Sequence, residues 1–202
     1  RFTLALFGIL PWRSVPTMPV EILLLPRWFP FHLSKVSYWA RTVLVPLLAL
    51  QALRPRARQP EPVGLDELFH QPPEKVGPPK RAPHQKRIWF ALFAGVDHVL
   101  RRAEPWMPKK LRRRAIDQAV AFVRERLNGE DGLGAIFPAM ANATMMFDAL
   151  GHAREGAIAR AALDRLLIVT DDEAYCQPCL SPVWDTTLAA HALFEVGGAQ
   201  NV

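Results

Sequence analysis

The fold class predicted for this 202-residue chain is all-α, an α/α toroid or solenoid that is incomplete within the sequence. Three observations predict it. Apolar residues recur at helical spacing along most of the chain, while strand patterns are scarce. Two segments open at a proline, Pro138 and Pro182, are rich in alanine, methionine or leucine, and end at a glycine; they lie 44 residues apart, an interval compatible with a helix-pair repeat. Those two segments are nearly devoid of charge, whereas Lys109 to Arg126 is heavily charged, which is the contrast expected between inner and outer helices of a double ring.

The elements follow in order. Arg1-Phe2-Thr3-Leu4 already lies in an apolar helical pattern without a starting methionine, and Asn201-Val202 follows the glycine stop Gly197-Gly198, so an internal piece of a longer chain is expected. Ser34 is the expected N-cap of a helix whose face is Val36, Trp39, Val43, Leu47 and Leu50, bent at Pro46. Arg54 to Pro83 holds eight of the nineteen prolines and reads as an extended loop or linker. Helices are then predicted at about Gln85 to Arg102 and Pro108 to Leu127, with proline suited to the first turn of the latter. Asn128-Gly129-Glu130-Asp131-Gly132-Leu133-Gly134 is turn chemistry. A helix opening at Pro138 ends before Gly151, another covers roughly Arg154 to Val169, and Ser181-Pro182 opens the last.

Composition narrows the classes of function. Half the residues are hydrophobic, yet the longest apolar stretches, Thr42 to Leu53 and Ile88 to Val96, fall short of a bilayer crossing and suit buried helices or segments dipping into a membrane surface. The formal charge of +6, with basic residues concentrated at Lys109, Lys110, Arg112, Arg113 and Arg114, favours an anionic partner. Nucleic acid lacks any recognisable module here. Apolar bulk from Ile88 to Trp106 adjoins the basic cluster, and that pairing favours one leaflet of an anionic membrane. Cys176 and Cys179 are too few for a disulfide framework, and their CxxC spacing has no second ligand pair, so no metal site is expected.

Aromatic residues and methionines cluster where inner helices begin or run: Trp39, Phe137, Met140, Met145, Met146, Phe147 and Trp184. Taken singly, each reads as hydrophobic core. Taken together, they also fit the lining of a cavity for a large apolar substrate, where aromatic faces stabilise carbocations shielded from water. Asp185, beside Trp184, suits a helix's first turn, and in a cavity it would orient a neighbouring acid by hydrogen bonding. Asp171-Asp172-Glu173 reads as a solvated loop.

The segment Asp171 to Thr186, containing Leu180-Ser181-Pro182-Val183-Trp184-Asp185-Thr186, resembles squalene-hopene cyclases of the proteobacterial kind. So do Leu4 to Gly8 with Pro11-Trp12, Val15-Pro16, Pro19 and Glu21, then Tyr38 to Val43, and Asp131 to Met140, in the family's order. The resemblance covers nearly the whole chain, least clearly the proline-rich loop. It implies that residues 1–175 belong to the N-terminal α/α barrel and 176–202 start the next domain. It further implies a parent that protonates a terminal alkene of squalene and closes rings through cations to hopene or hopanol, without a cofactor. Family members attach to one membrane face, on the cytoplasmic side, and a homodimer is suggested by analogy alone. By the matched motifs, Trp39, Ile136, Phe137, Pro138 and Trp184 would face substrate, with Asp185 as a supporting carboxylate near the reaction centre.

Two departures stand out. The glutamine and tryptophan of the family's repeat signature are missing around Asp131 to Gly134, with Leu133 in the tryptophan's place. The D-x-D-D motif that supplies the general acid is absent from the chain, and Thr170-Asp171-Asp172-Glu173 does not match it. The competing readings are another toroid enzyme, such as an oxidosqualene cyclase or a prenyltransferase subunit, and a helical-repeat interaction module at a membrane surface.

Overall fold

A computed structural model describes residues 1–57, 64–129, 131–179 and 181–197. Leu180, Glu130 and part of the proline-rich segment therefore lie outside the described residues, as do the last five positions. The helices are α1 (Phe2–Leu6), α2 (Tyr38–Leu53), α3 (Arg87–Ala103), α4 (Lys109–Arg126), α5 (Phe137–Leu150), α6 (Ala153–Asp164) and α7 (Pro182–Gly197). A two-stranded antiparallel hairpin, β1 (Leu167–Val169) and β2 (Ala174–Cys176), interrupts them. Between α1 and α2 runs a strap of short 3-10 turns, of which Val20–Leu24 lies along α4 and α2.

The core is where α2, α4, α5 and α6 meet. Val45, Ala49 and Leu50 from α2, Ala119 and Val123 from α4, Met140, Ala143, Met146 and Phe147 from α5, and Ala159 and Ala162 from α6 form one buried cluster. Alanines let α4 approach α2 and α6 approach α5 closely, and the bulk comes from α5, whose Phe147 is fully buried. The expected contrast between helices holds for α5, with seven buried residues, against α4, with four. It fails for α7, in which no residue is buried, so Val183, Trp184, Leu188 and Phe194 are exposed although the helix is apolar.

Two boundaries differ from the sequence reading. Ser37, not Ser34, caps α2 by accepting a hydrogen bond from the Ala40 N–H at 3.2 Å, while Ser34 sits in a 3-10 turn capped by His32. The two serines lie three residues apart, so apolar spacing at the helix start does not separate them. Helix α2 contains Pro46 and ends at Leu53, as the change of composition at Arg54 leads one to expect, with Arg54 in a left-handed conformation. The helix expected up to Val169 ends at Asp164, because Leu167-Ile168-Val169 pairs as a strand with Ala174-Tyr175-Cys176. The β-branched Ile168 and Val169 pack better on a pleated surface than in a last helical turn. Thr170 closes the hairpin, its N–H donating to the Glu173 carbonyl at 2.8 Å, and Asp171 and Asp172 are exposed at its tip.

The turn after α4 is tightly built. The Asn128 N–H donates to the Gly132 carbonyl at 3.2 Å, the Asp131 N–H to Asn128 Oδ1 at 2.6 Å, and Leu133 is driven to full burial. Leu133 thus fills the core rather than offering a stacking surface. Gly132 has φ +61°, and a Cβ there would lie 2.7 Å from the Ala162 Cβ. Gly132→Ala is expected to cost about 3 kcal/mol, from left-handed strain plus overpacking, read as a lower urea midpoint at unchanged m.

Candidate functional site

The sequence-predicted substrate residues fall into two groups. Trp39, in the first turn of α2, lies over the loop before α5: a Cβ on Gly134 would sit 3.3 Å from Trp39 Cζ3, so only glycine lets the indole lie this close. Gly134 leads into Ile136, Phe137 and Pro138 at the head of α5. That head is fastened to the segment after β2, since the Phe137 N–H donates to the Pro178 carbonyl at 2.9 Å and Ile136 bridges Cys179. One surface therefore joins Trp39, the Ile136-Phe137-Pro138 corner and the Cys176 to Cys179 segment. Ile136 is half-buried, while Trp39, Phe137 and Pro138 are exposed.

Trp184 and Asp185 form the second group, in the first turn of α7. The Asp185 N–H donates to the Ser181 carbonyl at 2.8 Å, but its carboxylate has no hydrogen-bond or ion-pair partner among the described residues. Trp184 is 69 % exposed. No contact recorded among the described residues joins this pair to Trp39 or Phe137, and the cavities described are not lined by any of these residues. The aromatic residues form an open apolar surface rather than an enclosed chamber. Cys176 and Cys179 are free thiols.

A polar cluster that the sequence reading missed ties the strap to α2, α3 and α4. Asp97 accepts from the Thr17 N–H at 2.6 Å and from Arg101 at 3.0 Å, and Arg101 also donates to the Val15 carbonyl at 3.0 Å. Partial burial pushes the Asp97 carboxyl up, but the Thr17 and Arg101 hydrogen bonds outweigh it and hold the group below its usual range. Glu21, 7 % exposed, accepts from Arg112 Nε at 3.0 Å, and Arg54 pairs with Glu104 at 2.5 Å. These groups border a cavity of about 20 Å³, room for one water. The other carboxylate oxygen of Glu21 is buried without a partner among the described residues. Only the i, i+4 spacing of Asp97 and Arg101 was a local signal; Thr17 and Glu21 lie about eighty to ninety residues from their partners.

Helix α3 has an unusual orientation. It has no buried residue, and its partly covered positions are Phe90, Asp97, Leu100, Arg101 and Ala103. Ile88, Trp89, Leu92, Phe93, Val96 and Val99 are all exposed, and Trp106 just beyond is 87 % exposed. The charged Asp97 and Arg101 thus face the body together with Phe90, Leu100 and Ala103, while most of the large apolar residues face outward, unlike an ordinary surface helix. Lys109, Lys110, Arg113 and Arg114 are exposed beside it, whereas Arg112 turns inward to Glu21 and is not free for an external partner. Among the described residues no helix is long and apolar enough to cross a membrane.

The stacked helix pairs around one apolar core, with an aromatic corner at the head of α5, define a helical-toroid protein of the terpene-cyclase type. Residues 1–172 match the family described as squalene-hopene cyclase N-terminal domain, and the chain belongs to that family. It is 59 % identical over its whole length to a squalene-hopene cyclase of Bradyrhizobium diazoefficiens, covering 31 % of that protein. It is 60 % identical to a probable squalene-hopene cyclase of Sinorhizobium fredii, covering 32 % of it. With a squalene-hopene cyclase of Zymomonas mobilis it shares 53 % identity over 98 % of this chain and 31 % of that one. The chain spans about a third of the length of these relatives.

Proposed function

We propose that this chain is the substrate-facing and membrane-facing part of a squalene-hopene cyclase, which converts squalene to hopene or hopanol by alkene protonation and cationic ring closure. The observation that carries the reading is the match of residues 1–172 to the family's N-terminal domain, with identities above 50 % to named squalene-hopene cyclases. Trp39, Ile136, Phe137 and Pro138 would form one wall of the squalene cavity, with Trp184 and Asp185 on another. Residues 176–202 would begin the next domain, a division supported by the family match ending at 172. In the whole enzyme the exposed face of α7 would be covered by chain that this sequence does not contain. The overall change is an isomerisation when a proton is lost to give hopene, and a hydration when water captures the last cation to give hopanol.

Peripheral attachment to the cytoplasmic face of a membrane completes the reading. Two features support it: the outward apolar face of α3, continued at Trp106, and exposed Lys109, Lys110, Arg113 and Arg114 beside it. Apolar residues enter the acyl boundary while the basic residues meet anionic headgroups. The purified chain is expected to float with phosphatidylcholine vesicles containing phosphatidylglycerol, and less with phosphatidylcholine alone. Phe93→Glu should weaken binding by about tenfold or more, because a half-exposed ring is replaced by a charge that repels the surface. Equal flotation of the variant would sink this assignment. Light scattering of the purified chain without vesicles tests whether it forms the homodimer that family analogy suggests.

A further inference from the structure

We propose that Asp97, acting with Arg101, is a positioning residue that holds α3 with its apolar face outward and in register with the basic start of α4. The inference rests on reading α3 as the lipid-contacting helix. Burying an apolar face is the ordinary way a helix is fixed to a protein, and α3 buries none of its residues. The side-chain fastenings recorded for it are polar. Asp97 takes the Thr17 N–H and the Arg101 guanidinium, and Arg101 reaches the Val15 carbonyl, so two side chains one turn apart clamp the same stretch of strap. Just past the helix, Glu104 is held by Arg54, and the Glu104 carbonyl accepts from Arg112 at 3.2 Å.

The arrangement has a consequence for binding. With α3 clamped, its apolar face and the exposed Lys109, Lys110, Arg113 and Arg114 are presented together, so insertion and headgroup attraction act as one event. With the clamp opened, α3 keeps its apolar face but moves independently of α4. Vesicle binding then weakens and also loses part of its salt dependence, because fewer basic residues engage along with the helix. A variant that only lowered the folded fraction would weaken binding without changing its salt dependence.

Hydrogen exchange by mass spectrometry and flotation with phosphatidylcholine–phosphatidylglycerol vesicles over a range of salt test this on the full chain. In vesicle-free buffer, Asp97→Asn and Asp97→Ala should speed exchange across residues 87–103 by about tenfold, the loss of partly exposed charge-assisted hydrogen bonds, with α2, α4 and α5 unchanged. Asp97→Glu, which keeps the charge, should restore part of the protection. Flotation of Asp97→Asn should show a flatter salt dependence than the parent chain. Unchanged exchange of α3 in both Asn and Ala variants, or faster exchange spread evenly over all helices, would overturn the clamp. A parent chain whose α3 is unaffected by vesicles would instead overturn the lipid reading, while the buffer exchange still decides the clamp.

Discussion

Incubated with squalene, the purified chain is expected to form no hopene or hopanol above the protein-free background, measured by gas chromatography with mass detection. An unactivated alkene is a very weak base, so protonating it needs a strong acid held ready in a dry site. The chain contains no D-x-D-D motif. Four of its carboxylates are badly placed for the task. Asp171 and Asp172 lie at an exposed hairpin tip, Asp185 is exposed without a partner among the described residues, and Glu21 is committed to Arg112. Cations formed at Trp39 or Trp184 would also meet solvent, since both indoles are more than half exposed. Formation of hopene that disappears in Asp185→Asn would overturn this expectation and make Asp185 the acid.

Replacing Phe147 by alanine is expected to lower the unfolding free energy by about 3–5 kcal/mol, the range for removing a buried aromatic side chain. Phe147 is the largest fully buried side chain among the described residues and belongs to the cluster shared by α2, α4, α5 and α6, with its ring edge-on to His152 at 6.1 Å. The surrounding alanines, Ala119, Ala143, Ala159 and Ala162, are too small to fill the space it leaves. Since domains of this kind are stable by about 5–15 kcal/mol, the loss should unfold a large fraction of the chain at moderate urea. Circular dichroism against urea checks it, and a midpoint unchanged from the parent would show that the core collapses around the site.

Much of the fold was legible because long amphipathic helices carry their own periodicity. The helices α3, α4 and α5 began and ended within two residues of the positions expected, marked by Pro108, Pro138 and the left-handed Gly151. The hairpin at Leu167 to Cys176 was not legible as such, because three residues are too short for an alternating pattern to separate from the end of a helix. The family motifs located Trp39, the Ile136 to Pro138 corner, Trp184 and Asp185 in the chain. They did not show that Gly134 seats the Trp39 ring or that the Pro178 carbonyl holds the head of α5, since both contacts join residues remote in sequence.

The sequence by itself determined the helical class, the membership of the squalene-hopene cyclase family and the lack of the acid motif, because residue type, spacing and motif are local properties of the chain. Tertiary structure alone decided which face of each helix is covered. Periodicity marks the apolar stripe of α3 but is silent on whether that stripe turns inward. Here Asp97 and Arg101 find their partners on the strap at Thr17 and Val15, so the polar side is held and the apolar side is left open. In the same way Arg112, one of five neighbouring basic residues in the sequence, is set apart from the others by the buried carboxylate of Glu21 and the Glu104 carbonyl, which draw it inward.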